Sequence, residues 1–174
     1  MTDHLCCAIL GHSPMRFAWG FDEEDRRCQK LKLELLQLIM EMRQQNVKHF
    51  TVVCDCGIGL YAGEIINHLR ENEKELQLYC VTPYEEQSTK WAPYLRERYF
   101  ELLEKCSFLE VISRHKTSSC CQEAYAKVID YATVIIAVYD PDSARNDVID
   151  CAICYAAQQE KPIFYIHPDT FVRS

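Results

Sequence analysis

Four short polar stretches carry the side chains best suited to chemistry. Gly11-His12-Ser13-Pro14-Met15-Arg16 sets a backbone-permissive glycine, an imidazole, a hydroxyl and a guanidinium within six residues. Cys54-Asp55-Cys56-Gly57-Ile58-Gly59 sets a carboxylate beside two glycines, just after an apolar run. Glycines at a strand-to-helix turn let backbone N–H groups and the positive helix end face an anion, although a lone G-x-G also describes a simple tight turn. Thr82-Pro83-Tyr84-Glu85-Glu86-Gln87 offers an aromatic face and carboxylates for an adenine or a ribose hydroxyl. Glu85 and Glu86 serve equally as first-turn acids complementing a helix dipole. In Asp140-Pro141-Asp142-Ser143, capping of the next helix by Asp142 or Ser143 is a simpler role than catalysis.

No complete catalytic constellation accompanies them. The sequence lacks a nucleophile elbow, a Walker lysine loop and a metalloprotease helix. Glu64 is a lone acid whose plain alternative is a solvated helix position. The chain has 11 cysteines, an odd number that does not read as a disulfide framework. Cys54 and Cys56 are the best metal-ligand candidates. No pair of C-x-x-C knuckles supports them, so the expectation is buried reduced thiols and no metal.

Six apolar runs must position these stretches: Leu5–Leu10, Phe50–Cys54, Leu76–Val81, Phe108–Ile112, Thr133–Tyr139 and Pro162–Ile166. They are apolar nearly throughout, as strands covered on both faces should be. Between them, Leu31, Leu35, Leu38, Ile39 and Met42 recur at helical spacing, as do Trp91, Tyr94, Leu95, Leu102 and Cys106. Shorter helices are expected to turn Ile65, Ile66 and Leu69, then Tyr125, Val128 and Ala132, then Ile149, Ala152, Ile153 and Ala156 toward the sheet. This alternation predicts one α/β domain over residues 1–174, a Rossmann-like doubly wound and mainly parallel sheet with helices on both faces. Ligands of such sheets bind outside the carboxyl ends of the strands, where all four polar stretches fall.

Composition narrows the function classes. Of 174 residues, 48% are hydrophobic and 26% charged, the balance of a globular domain. The charge is 19 − 26 = −7, which disfavours nucleic acid as a partner. No apolar run approaches a membrane span, and Met1-Thr2-Asp3-His4 has no leader-like character, so a cytoplasmic location is expected. Homo-oligomerisation is left open.

The polar stretches also carry a resemblance. Gly11-His12-Ser13-Pro14-Met15-Arg16-Phe17 with Trp19-Gly20 resembles the G-H-R-P-x-x-F opening of the YpsA/YoqJ-like branch of the SLOG superfamily, which includes the DNA-processing DprA proteins and the LOG phosphoribohydrolases. Gly57-Ile58-Gly59-Leu60-Tyr61-Ala62-Gly63-Glu64 is similar to that branch's G-V-D-L-W-A-A-E. Val81–Gln87, Lys90-Trp91, Ile136–Asp140 and Lys161-Pro162-Ile163 continue the similarity in order. The resemblance implies a Rossmann-like fold and a small nucleotide or nucleotide-derivative ligand of the ADP-ribose kind. The candidate ligand-binding residues, from the strand-end loops and the resemblance together, are Gly11, His12, Ser13, Arg16, Asp55, Gly57, Gly59, Glu64, Pro83, Glu85 and Asp140. Departures accompany the matches. The branch's loop arginine is Ser13, its helix aspartate falls at Gly59, and its phosphate-friendly G-G-T falls at Asp147-Val148-Ile149. The basic stretch expected before the fifth run reads Ala124-Tyr125-Ala126. Each lost charge-assisted contact weakens a polyanion site by about 1.5–3 kcal/mol. The reading that follows is a nucleotide-derivative-binding or sensing domain with a partly degenerate pocket, without an assigned catalytic residue. Its alternatives are an N-glycoside or nucleotide hydrolase of the LOG type, whose P-G-G-x-G-T-x-x-E motif has no counterpart here, and a protein-interaction scaffold.

Overall fold

All six expected runs are strands. A computed structural model describes residues 5–174; Met1–His4 lie outside the described residues. The strands are β1 (Cys6–Gly11), β2 (His49–Val53), β3 (Gln77–Tyr84), β4 (Phe108–Ser113), β5 (Val134–Val138) and β6 (Ile163–Ile166). They form one sheet in the order β4-β3-β2-β1-β5-β6, and every pairing between them is parallel. Between them run α1 (Arg26–Gln44), α2 (Ile58–Asn72), α3 (Pro93–Lys105), α4 (Cys120–Tyr131) and α5 (Val148–Gln158).

Side-chain alternation along the strands explains why the sheet has two covered faces. On β1, Cys7 and Ile9 pack with Leu31, Leu35, Leu60, Ile66, Leu95 and Leu102 of α1, α2 and α3. Their neighbours Ala8 and Leu10 pack instead with Val128, Ile129, Ile149 and Ala156 of α4 and α5. The strand order reverses between β1 and β5, which places the ligand crevice of this fold class over their carboxyl ends.

Several local expectations need correction. β3 runs on to Tyr84 and includes Pro83, which sequence reading places in a loop. Register between β2 and β3 ends at Val53↔Val81, so Pro83 interrupts no rung between those two strands. The helix expected near Leu60 begins at Ile58, and Trp91 precedes α3. Tyr94 faces solvent because α3 turns Leu95, Tyr99 and Leu102 inward. The thiols are not uniformly buried: Cys7, Cys28, Cys54, Cys80 and Cys120 are, but Cys151 and Cys154 lie exposed on α5. Among the described residues, no helix is long and apolar enough to cross a membrane.

Candidate functional site

Three of the four polar stretches converge. Gly57 lies so close to the first loop that an added Cβ would meet Pro14 Cδ at 2.7 Å. The first loop also reaches the loop after β5: Asp140 N–H donates to His12 Nε2 at 2.9 Å. Arg16 extends the same link, donating from Nη1 to Asp147 Oδ2 at 2.7 Å and from Nη2 to Ser143 Oγ at 3.1 Å. Ile58 packs over Gly11, so the chain's own atoms fill the closest approach between β1 and α2.

Asp55 sits at the N-terminus of α2. Its Oδ1 accepts from the N–H of Gly57 at 2.8 Å and of Gly59 at 3.0 Å. Its Oδ2 accepts from the Tyr125 hydroxyl at 2.9 Å. An external anion at this helix end would seek the same N–H groups. Burial raises the Asp55 carboxyl above its ordinary range, and the bonds from Gly57, Tyr125 and Gly59 only partly offset that. At Gly59 a Cβ would lie 1.9 Å from the Val53 carbonyl oxygen. The aspartate that the related motif carries at this position therefore has no room here, and the carboxylate arrives from the preceding loop.

The N-terminus of α5 is closed differently. Asp147, not Asp142 or Ser143, is the cap: its Oδ1 accepts from the N–H groups of Ile149 and Asp150, both at 3.0 Å. Asp150 returns the bond to Asp147 N–H at 3.0 Å, completing a capping box,. Asp150 also accepts from the Tyr139 hydroxyl and the Arg145 N–H, each at 2.7 Å. Burial alone would raise Asp150, but the Tyr139, Arg145 and Asp147 bonds, with Arg16 nearby, bring it down to about 2. Asp140 caps only the short 3₁₀ turn Pro141–Ser143, accepting from Asp142 N–H at 2.9 Å.

His12 is 2% exposed. Burial and the neighbouring Arg16 guanidinium lower it to about 4, so the ring is neutral near pH 7. Because Nε2 accepts from Asp140, the proton belongs on Nδ1, and Nδ1 is buried with no hydrogen-bond partner among the described residues. Ser13 is exposed and caps the 3₁₀ turn Pro14–Arg16.

Other candidates lie apart. Glu85 is exposed, and its N–H donates to the carbonyl of Ser113, the last residue of β4, at the far edge of the sheet from β5. Glu64 forms a two-pronged pair with Arg98 of α3 at 2.7 and 2.8 Å. Arg98 in turn holds Glu23, so Glu64 is engaged on the α2–α3 side. Sequence reading missed Tyr125, Tyr139, Asp147 and Asp150. Only the S/T/D-x-x-D/E spacing of Asp147 and Asp150 carried a local signal, that of a capping box.

Beside this arrangement, between the N-terminal halves of α4 and α5, lies a cavity of about 260 Å³ bordered by Tyr125, Val148, Cys151 and Tyr155. Doubly wound topology, a ligand edge at the β1–β5 switch and glycine-bearing first and second loops define a Rossmann-like α/β protein. Comparison with known proteins gives the family: the profile of the YspA SLOG family matches residues 7–171, and the chain belongs to that family. It is 21% identical to the UPF0398 protein YpsA of Bacillus subtilis over 166 residues, covering 93% of this chain and 92% of that one. A UPF0398 protein of Bacillus pumilus is 24% identical over 166 residues, covering 93% of this chain and 87% of its own.

Proposed function

We propose that this chain is a nucleotide-derivative-binding or sensing domain without catalytic activity, whose pocket takes the uncharged part of its ligand and disfavours phosphate. The observation that carries this reading is Asp55 bonded to the N–H groups of Gly57 and Gly59. A second carboxylate pair, Asp147 and Asp150, engages the N-terminus of α5 in the same way. Phosphate approaching either end would have to displace a negative side chain and its hydrogen bonds. The cavity beside Tyr125 is smaller than the roughly 300–1,000 Å³ of drug-sized sites, which suits a nucleobase-sized group better than a dinucleotide,.

The test is a thermal-shift and calorimetric panel of adenosine, AMP and ADP-ribose on the wild type and on Asp55→Asn. Asn keeps an acceptor for Gly57 and Gly59 but removes the charge. The expected result is adenosine binding the wild type more tightly than ADP-ribose, with Asp55→Asn strengthening AMP and ADP-ribose binding several-fold. Silence of both proteins toward all three ligands overturns the reading in favour of a scaffold. ADP-ribose binding that is tight in the wild type and unimproved in the variant overturns the charge assignment.

A further inference from the structure

The two edges of the sheet are finished differently. At β6 the chain folds back on itself: Ser174 N–H donates to the Tyr165 carbonyl at 3.1 Å, and Tyr165 N–H donates to the Ser174 carbonyl at 2.7 Å. Arg173 fastens this segment to α1, donating to Glu34, Glu41 and Gln37 at 3.1, 2.6 and 2.9 Å. At β4 no strand of the described residues lies on the outer side. That edge is also apolar, with Phe108 at 57%, Leu109 at 46% and Val111 at 39% exposure. Phe108 borders an apolar cavity of about 280 Å³ together with Tyr79 and Tyr131. Edge strands of monomers are ordinarily blunted by charge, proline, bulges or covering chain; β4 carries only one charged residue, Glu110, and that is paired with Lys127 at 2.6 Å.

We propose that a second copy of this chain covers β4, joining the two sheets by antiparallel β4–β4 pairing about a two-fold axis. Self-pairing is isologous, so each copy must complement itself. A register that sets Val111 against Val111 of the second copy does so. It places Leu109 opposite Ser113 and Glu110 opposite Ile112, keeping the two Glu110 side chains out of direct opposition. It also places Phe108 opposite Arg114, a cation above an aromatic face. Charge favours the same orientation. Exposed Arg114 and Lys116 follow β4, while exposed Glu104 lies on the last turn of α3 just before it, next to Lys105, which is paired with Glu101 at 2.6 Å. Antiparallel pairing brings Arg114 and Lys116 of one copy toward Glu104 of the other.

Sedimentation equilibrium over a concentration series tests the proposal, alongside hydrogen exchange of the β4 amides. The wild type should have twice the 20.4 kDa mass of one chain, and its outward β4 amides should gain protection as concentration rises. Val111→Lys, which opposes two ammonium groups at the axis, should weaken dimerisation by about 100-fold or more while leaving the far-UV spectrum and melting cooperativity unchanged. Leu33→Lys, at an exposed apolar position on α1 away from the edge, should leave the dimer intact. A wild-type monomer throughout the series overturns the proposal and leaves the edge to a strand of another protein. A dimer that survives Val111→Lys places the interface elsewhere and also overturns it.

Discussion

The N-termini of α2 and α5 face the same crevice and are both closed by carboxylates, yet they use them in opposite electrostatic settings. At α2, Asp55 receives three hydrogen bonds but forms no ion pair among the described residues, and burial wins: its carboxyl is raised. At α5, Asp150 accepts three hydrogen bonds and stands 3.8 Å from the Arg16 guanidinium, and its carboxyl falls to about 2. One helix end therefore holds a charge the fold tolerates, and the other a charge the fold stabilises. The lesson is that a helix N-terminus alone does not fix the ionisation of a carboxylate beside it; burial and the hydrogen bonds each carboxylate accepts decide first, with a neighbouring cation adding to them,. In functional terms the start of α5 is a locked structural joint between the loops that follow β1 and β5. The α2 end, held only by a carboxylate that gains by losing its charge, is the more easily opened of the two.

The comparison breaks or holds first on stability. Asp150→Ala removes the acceptor of Tyr139, Arg145 and Asp147 and one of the two carboxylates beside buried Arg16. It should cost about 3 kcal/mol in urea unfolding. Asp55→Ala should cost less, about 1–2 kcal/mol, the range for loss of a helix cap. Equal costs, or the reverse order, would mean that the two ends are held alike.

The pH dependence sharpens the contrast because the two signs are opposite. A depressed folded pKa contributes stability above the unfolded value of 3.8, lost as pH falls toward about 2,. Asp150→Asn should therefore lose stability relative to wild type as pH rises from about 2 to 4. A raised folded pKa works the other way, destabilising the fold as pH climbs past 3.8. Asp55→Asn should gain on wild type over that climb. Denaturation curves of the three proteins at matched pH decide it, and parallel trends for the two variants would refute the assignment. In all three proteins His12 adds a shared acid limb. Its pKa of about 4 against 6.5 means that stability is lost as pH falls from 6.5 through 4. The smallest expected effect is that of Tyr125→Phe, about 1 kcal/mol for one hydrogen bond. It should also push the Asp55 carboxyl higher still, visible by NMR titration of the side-chain carbon.

Much of the fold was legible because it is written in local patterns. Continuous apolar runs such as Phe50–Cys54 cannot be half-exposed, and Leu31, Leu35, Leu38, Ile39 and Met42 do line the buried face of α1. Tyr94 shares the aromatic character of its neighbours, but its exposure depends on how α3 is turned against the sheet. Pro83 reads as a strand breaker because nothing in its neighbourhood says that β2 has already ended beside it. The candidate site was legible only as a set of loops. That His12, Arg16, Gly57 and Asp140 meet follows from parallel topology. That Glu85 and Glu64 stand aside does not, since each looks locally as polar and as near a strand end as the others.

By itself, then, the sequence determined which segments are strands and helices, that the strands run parallel, and which loops share an edge, because burial periodicity and crossover handedness act over a few residues at a time. Only the tertiary structure decided what the polar residues in those loops do. Arg16 finds Asp147 across 131 positions of chain, and Asp55 finds Tyr125 across 70. Such partners are chosen by where the sheet sets the helix ends down. The energy of a buried carboxylate depends on what stands within a few ångströms of it, which no local spacing encodes.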